Sequence, residues 1–108
     1  MSGDPDAAAR LAAVQAKFAG KLRDRIDELA RTVAAAQTDA QRLAEAITPA
    51  HRLAGTAGSF GYADAGAEAL QLEVKLLELR DGSADADPPL WPEIDAQLQR
   101  VVATKPAG

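Results

Sequence analysis

The chain has 108 residues, a net charge of −4 and no cysteine. Its length suits one hydrophobic core, so we predict a single domain over residues 1–108. The negative charge argues against a nucleic-acid partner, which requires a concentrated basic face. The lack of cysteine excludes disulfides and thiolate metal sites, and no uncharged run approaches the ~20 residues of a membrane-spanning helix. The N-terminus has no apolar run with basic flanks, so we expect a cytoplasmic protein without membrane contact.

Alanine, the strongest helix former, makes up about a quarter of the chain. Valine and isoleucine are few, and no stretch alternates apolar and polar residues over the length of a strand. The predicted fold class is therefore all-α.

The first predicted helix begins with Asp4 or Asp6 as its N-cap and stops at residues 37–39. Gly20 lies within it, and an isolated glycine either divides a helix or is tolerated inside it. We adopt the division, which predicts an additional short N-terminal helix before the first long one. Apolar residues recur at steps of three or four along this stretch and predict one core-facing stripe: Leu11, Val14, Phe18, Leu22, Ile26, Leu29 and Val33.

Residues 40–60 form the next predicted helix, which Gly61 ends as a left-handed C-cap. Thr48-Pro49 interrupts this helix, either as a kink or as a restart with the threonine as its cap. The inward positions are predicted from the helical spacing: Leu43, Ile47, Leu53 and Ala57.

Asp64 is predicted to cap the following helix, which has Leu70 among its periodic positions and ends at Asp81-Gly82. Residues 83–89 are small, acidic and proline-bearing, which is typical of a loop. Pro92 then opens the last helix, whose inward residues are Ile94, Leu98, Val101 and Val102. Four helices with short connections predict an antiparallel four-helix bundle, with the additional short N-terminal helix.

The run from Ala50 to Tyr62 is the one segment that indicates a function. On a helix, one face of this region carries polar and small residues three or four apart: Thr48, His51, Gly55 and Gly58. The only histidine of the chain therefore projects outward beside bare backbone. Because each helical glycine costs up to about 1 kcal/mol relative to alanine, two of them indicate that another surface comes close to His51. The ordinary alternative is a solvated surface histidine beside glycines that serve helix packing.

The same run resembles the phosphorylation motif of histidine-containing phosphotransfer (HPt) domains. That motif has a histidine followed by an apolar residue two positions later and by glycines four and ten positions later; here these are His51, Leu53, Gly55 and Gly61. Leu72-Glu73 falls where the family usually has Leu-Glu on the following helix. The run Gly58 to Tyr62 is also similar to the phosphotransfer domain of chemotaxis histidine kinases.

The resemblance implies that His51 is the phosphoacceptor of a phosphorelay in bacterial two-component signalling. A neutral imidazole nitrogen is a good nucleophile, and phosphoryl transfer needs chiefly in-line positioning and charge neutralisation. The sequence shows no convincing carboxylate cluster for Mg²⁺, no glycine-rich phosphate loop and no arginine clamp. We therefore expect no autonomous active site and no metal or cofactor bound by this chain. The resemblance implies that a response-regulator receiver domain supplies Mg²⁺ and the phosphorylatable aspartate, with a histidine kinase upstream.

Glu73 and Arg52 are the predicted supporting residues. In chemotaxis-kinase relatives, a glutamate at the position of Glu73 can hydrogen-bond the other ring nitrogen of the histidine; the alternative is a solvated Glu73, or one paired with Lys75 or Arg80. Many family members carry lysine or arginine three residues after the histidine, where this chain has Ala54. Arg52 is basic, but it points about 100° around the helix from His51.

The docking surface for the partner is expected around His51. Its predicted members are Thr48, Gly55 and Gly58, together with the apolar candidates Ile47, Leu11 and Val14. By spacing, each of these apolar residues is equally a core residue. We expect a monomer, because no extra apolar face is evident.

Three interpretations remain open. The chain is a relay protein that works between receivers, or the phosphotransfer domain of a chemotaxis-type kinase, or a non-catalytic helical adaptor with an incidental histidine. An adaptor would show an apolar heptad seam for dimerisation, and no sustained seam is found.

Overall fold

A computed structural model describes residues 5–82 and 90–106, and over these ranges the chain is helical without a strand. The long helices are α1 (Pro5–Thr38), α2 (Leu43–Thr56), α3 (Ala63–Arg80) and α4 (Trp91–Ala103). Two short 3-10 turns flank α2, at Ala40–Arg42 and Gly58–Phe60. The predicted all-α class is confirmed. The loop predicted at residues 83–89 lies outside the described residues.

Helix α1 is continuous through Gly20, so the additional short N-terminal helix predicted from that glycine is wrong. Its residues form the first part of a single helix of 34 residues. One helical glycine costs only about 1 kcal/mol. The alanine-rich sequence and the burial of Phe18 and Leu22 on either side of Gly20 outweigh that cost.

The apolar stripe of α1 is buried only from Phe18 onward. Leu22, Ile26, Leu29 and Val33 are fully buried, whereas Leu11 is 60% exposed and Val14 is 48% exposed. Of the two alternatives that the spacing leaves open for Leu11 and Val14, a core position is therefore wrong, and both are exposed. The apolar stripe of α1 therefore begins before the part of the helix that the rest of the bundle covers.

The four helices close around one core. Helix α2 packs against both α1 and α3, and α4 packs against α3 and returns to contact α1. The buried apolar residues come from all four helices: Phe18, Leu22, Ile26, Leu29, Val33, Ala36, Ala46, Ala50, Leu53, Ala57, Ala65, Ala69, Leu72, Leu76, Ile94, Leu98 and Val101. On α2 the buried residues are mostly alanines, which allows its backbone to approach its neighbours closely.

The segment predicted as one helix over residues 40–60 divides into a 3-10 turn, α2 and a second 3-10 turn. The first turn is capped by Asp39, whose carboxylate accepts a hydrogen bond of 3.0 Å from the amide of Gln41. Helix α2 continues through Pro49 without a restart. The hydroxyl of Thr48 donates to the carbonyl oxygen of Ala44 at 3.2 Å instead of capping a new helix.

The connection between α2 and α3 ends at Gly61, which has φ +90° and so adopts the predicted left-handed conformation. The cap predicted at Asp64 is wrong, because Tyr62 is the N-cap residue and Asp64 lies in the first turn of α3. Helix α3 ends before Asp81-Gly82, as predicted. Within the described ranges, none of the helices is both long and apolar enough to cross a membrane.

Candidate functional site

His51 lies on the outer face of α2, in the middle of the bundle. Its side chain is 74% exposed, while its neighbours Ala50 and Leu53 are buried against the other helices. The inward residues fix the rotation of α2 about its own axis. The imidazole is therefore held on the solvent side by a helix that is packed on both flanks.

Glu73 reaches His51 from α3. The Oε2 atom of Glu73 lies 2.6 Å from Nδ1 of His51, although the two residues are 22 positions apart in sequence. The Glu73 side chain is only 12% exposed. The alternative pairings of Glu73 with Lys75 or Arg80 are absent, and Arg80 instead donates to Asp81 at 2.8 Å. The structure thus brings together the two residues that carry most of the predicted chemistry.

This pair determines which ring nitrogen is available for reaction. An ionised carboxylate can only accept a hydrogen bond, so the proton of a neutral imidazole resides on Nδ1 when that atom donates to Glu73. The lone pair is then on Nε2. Within the described part of the chain, the His51 ring makes no other hydrogen bond. The arrangement therefore presents Nε2 to solvent as a nucleophile.

Bare backbone lies beside His51, as expected from the two glycines. A Cβ atom placed on Gly55 or on Gly58 would meet nothing within 4 Å. Gly55 lies one turn after His51 on α2, whereas Gly58 lies in the 3-10 turn that follows the helix. Thr48 is exposed one turn before His51. These residues form a face, which we call the His51 face, with room for an approaching surface.

Arg52 does not contact His51. It lines a groove between α1 and α2 together with Arg25, Glu28 and Glu45. Its guanidinium forms no ion pair within the residues that the structure describes. Ala54, at the position where many relatives have a basic residue, is half-buried and packs against the core. Among the described residues, the hydrogen-bond partner of the imidazole is Glu73, and the position one turn after His51 carries the uncharged Ala54.

The three apolar docking candidates occupy different places. Ile47 is half-buried near His51 and packs against the core. Leu11 and Val14 are exposed, but they lie on the first part of α1, beyond Gln15, whose carbonyl contacts Tyr62 after the end of α2. Because Glu28 lies level with the His51 region, Leu11 is displaced from that level by about 25 Å along α1 at 1.5 Å per residue.

Two exposed apolar residues on α3 were missed by the sequence reasoning. Leu70 is 48% exposed and Val74 is 41% exposed, and they lie three residues before and one residue after Glu73. The helical spacing predicts Leu70 among the periodic apolar positions of α3 and makes no prediction for Val74. The sequence does indicate that Val74 is exposed. It lies two residues from both Leu72 and Leu76, which places it about 200° around the helix from each, on the side away from them.

One of three comparisons with known proteins found a match for this chain. The family model described as "Hpt domain" matches residues 7–104, which is nearly the whole chain. A search of curated proteins and a search of solved structures each found no match. Among the described residues, no group of three or more histidine, aspartate or glutamate side chains is arranged to hold a metal ion.

Proposed function

Because the chain belongs to the Hpt domain family, whose role is that of a phosphotransfer intermediate in phosphorelays, we propose that His51 is its phosphoacceptor. In this proposal Nε2 of His51 takes the phosphoryl group from a receiver aspartate, or from a histidine kinase, and passes it to a second receiver. The observation that carries the proposal is the hydrogen bond of 2.6 Å between exposed His51 and largely buried Glu73.

The transfer step follows from this pair. The Nε2 lone pair attacks the phosphorus of the aspartyl phosphate, the P–N bond forms, and the P–O bond to the aspartate breaks, so that the aspartate leaves as a carboxylate. The ring then bears a phosphoryl group on Nε2 and a proton on Nδ1, which makes the imidazole cationic. The carboxylate of Glu73 stabilises that positive charge through its hydrogen bond to Nδ1. The same steps in reverse transfer the phosphoryl group from Nε2 to the aspartate of the next receiver.

The remaining catalytic groups are assigned to the partner. We propose that the receiver domain holds Mg²⁺ and neutralises the charge of the transferring phosphoryl group. The uncharged Ala54 at the position of the usual basic residue supports this division, as does Arg52, which forms no ion pair with the groups around His51 among the described residues. This chain then contributes a nucleophile in the correct tautomer and a surface on which the partner can dock.

The proposed docking surface is the His51 face, extended by Ile47 and by the exposed Leu70 and Val74 of α3. A surface that combines bare backbone with apolar side chains allows close approach and buries apolar area. The Leu11 and Val14 candidates lie beyond the end of α2, so we assign them a minor role. The protein acts as a monomer in this proposal, because the receiver covers the exposed apolar residues next to Glu73.

The proposal includes an antiparallel arrangement of the bundle. Two contacts support it: Arg25 of α1 donates to Thr56 at the end of α2 at 3.4 Å, and Tyr62, beyond α2, donates to the carbonyl oxygen of Gln15 at 3.3 Å. Residues that come later in the α2 region thus meet residues that come earlier in α1, as helices running in opposite directions require.

The test is phosphoryl transfer from labelled donors. The protein is mixed with phosphorylated receiver domains and Mg²⁺, and in a second arm with a histidine kinase and labelled ATP. We expect label that is labile to acid and stable to alkali, as is typical of phosphohistidine, and no label on His51→Gln. Label that persists undiminished in His51→Gln, or its absence from the wild-type protein with every cognate donor, would contradict the proposal. The arm that labels faster distinguishes a relay between receivers from a phosphotransfer domain served directly by a kinase.

A further inference from the structure

Gly66 of α3 marks a crossing point with the end of α2, where its nearest neighbours are backbone atoms and one alanine side chain. Gly66 of α3 is buried, and a Cβ atom built on it would lie 3.4 Å from the backbone nitrogen of Gly58 and 3.5 Å from the carbonyl oxygen of Ala54. It would also lie 3.7 Å from the Cβ atom of Ala57. Two of these three neighbours are backbone atoms, which cannot rotate away as the end of a flexible side chain can.

This crossing point lies in register with the His51–Glu73 pair. Gly66 precedes Glu73 by seven residues, which is two helical turns, so both residues lie on nearly the same side of α3 about 10 Å apart. On α2, Ala54 follows His51 by three residues and lies on the adjoining part of the helix surface. The separation of the two helices at Gly66 therefore sets the distance that the Glu73 side chain has to span.

The pair itself depends on this separation. Glu73 is largely buried and His51 is the partner of its carboxylate. A buried carboxylate that loses its hydrogen-bond partner incurs a desolvation penalty. The N···O distance of 2.6 Å is just below the usual range of about 2.7–2.9 Å for charge-assisted pairs, so helices forced apart by about 1 Å would lengthen this hydrogen bond beyond that range and weaken it.

We propose that Gly66 is a positioning residue, whose missing side chain holds α2 and α3 close enough for Glu73 to fix the tautomer of His51. This inference rests on the proposed function of His51. On the α2 side the contact consists mainly of backbone, namely the carbonyl oxygen of Ala54 and the amide nitrogen of Gly58, so the absence of a side chain at Gly66 permits the close approach.

The proposal predicts a graded response to side-chain size at position 66. The first carbon, in Gly66→Ala, would sit at 3.4–3.7 Å from its neighbours, which is ordinary van der Waals contact. The two further carbons of Gly66→Val have no such space and force the helices apart. Ala67→Val is the matched control, because it places the same β-branched side chain on the exposed neighbouring residue of α3.

Two measurements test this response, one on the unphosphorylated protein and one during phosphoryl transfer. Nitrogen and proton NMR of His51 reports the tautomer and the Nδ1 proton, and single-turnover transfer from a labelled receiver reports the rate. We expect Gly66→Ala and Ala67→Val to resemble the wild type. Gly66→Val should lose the preference for the Nδ1-protonated tautomer and slow transfer by about tenfold, the loss expected for one charge-assisted hydrogen bond.

A double variant separates positioning from a general loss of structure. If Gly66 acts through Glu73, then Gly66→Val should have almost no further effect on transfer in a Glu73→Gln background. Effects that multiply in the double variant, or a wild-type tautomer preference in folded Gly66→Val, would overturn the proposal. If Gly66→Val does not fold, the smaller Gly66→Ser adds one atom beyond the Cβ at the same contact, and a normal tautomer preference in that variant would equally overturn the proposal.

The two readouts also distinguish this proposal from the proposed function. Absence of label on the wild-type protein would reject the phosphoacceptor role of His51. The NMR measurement would still show whether Gly66 controls the His51–Glu73 hydrogen bond, because it requires no phosphoryl donor.

Discussion

Two exposed surfaces of this molecule carry small and apolar residues at helical spacing, and they differ in what lies behind them. The His51 face belongs to a helix that packs against both α1 and α3, and the largely buried Glu73 supports its histidine from below. The first part of α1, residues 6–17, is exposed at every position. It carries Leu11 and Val14, which the described residues leave exposed.

The comparison shows that exposure of apolar residues is not enough to identify a functional surface. A reactive group has to be held within a fraction of an ångström, which requires a backbone fixed by packing on its far side. Helix α2 meets that requirement through Ala46, Ala50 and Leu53. The first part of α1 has no buried residue before Phe18 among the positions that the structure describes.

The largest expected effect concerns the stability of the two parts of α1. Leu22→Ala removes a fully buried side chain and should lower the free energy of unfolding by about 2–5 kcal/mol. Leu11→Ala, the same substitution on the exposed part, should change it by less than about 0.5 kcal/mol. Urea denaturation followed by circular dichroism measures both. Equal losses would show that the first part of α1 is packed in solution and would remove the contrast.

The next effect concerns the bare backbone beside His51. Gly55→Gln introduces a long side chain where there is open space, so the bundle should keep its fold, with helix stability raised by up to about 1 kcal/mol. Transfer from a receiver should fall by about a hundredfold if the partner needs that space, since a clash of roughly 3 kcal/mol is sufficient. Single-turnover labelling measures the rate. Ala96→Gln, an exposed alanine of α4, is the control, and a normal rate in Gly55→Gln would assign Gly55 to a role other than docking.

A somewhat smaller effect is expected from the residue behind the histidine. Glu73→Gln keeps the size of the side chain but removes the charge that stabilises the cationic phosphoimidazole. Transfer should slow by about tenfold or more, because a hydrogen bond to a charged group is worth about 1.5–3 kcal/mol. Glu78→Gln makes the same change at an exposed position of the same helix and should leave the rate unaltered. Equal rates for both variants would reduce Glu73 to a packing residue.

The smallest effect is expected for the exposed apolar residues far from His51. The double variant Leu11→Ser with Val14→Ser should alter the affinity for a receiver by no more than about twofold, since surface residues outside an interface core contribute little. Leu70→Ser with Val74→Ser, next to Glu73, should weaken receiver binding more strongly. Titration calorimetry with a receiver compares the two double variants. A larger loss from the α1 pair would move the docking surface to the first part of α1.

Much of the fold and part of the site were predictable from local sequence patterns. The predictions of the helical class, of the inward side of α1 from Phe18 onward and of the left-handed Gly61 are confirmed. Each of them depends on residues that are close together in the chain. The outward direction of His51 followed from the same periodicity. The errors at Gly20 and Asp64 also concern local signals, and in both places tertiary packing or an adjacent helix start outweighed a preference of about 1 kcal/mol.

The sequence by itself determined that this chain is helical, which side of each helix is apolar, and that His51 with its glycines resembles the phosphorylation motif of the family to which the chain belongs. Helical periodicity specifies the direction of a side chain relative to its own helix axis. It does not specify what covers that side chain, which depends on segments far away in the chain. Only the tertiary structure decided that the α1 stripe is covered from Phe18 onward, that Glu73 pairs with His51 instead of Lys75 or Arg80, and that Gly66 lies against the backbone of Gly58 and Ala54.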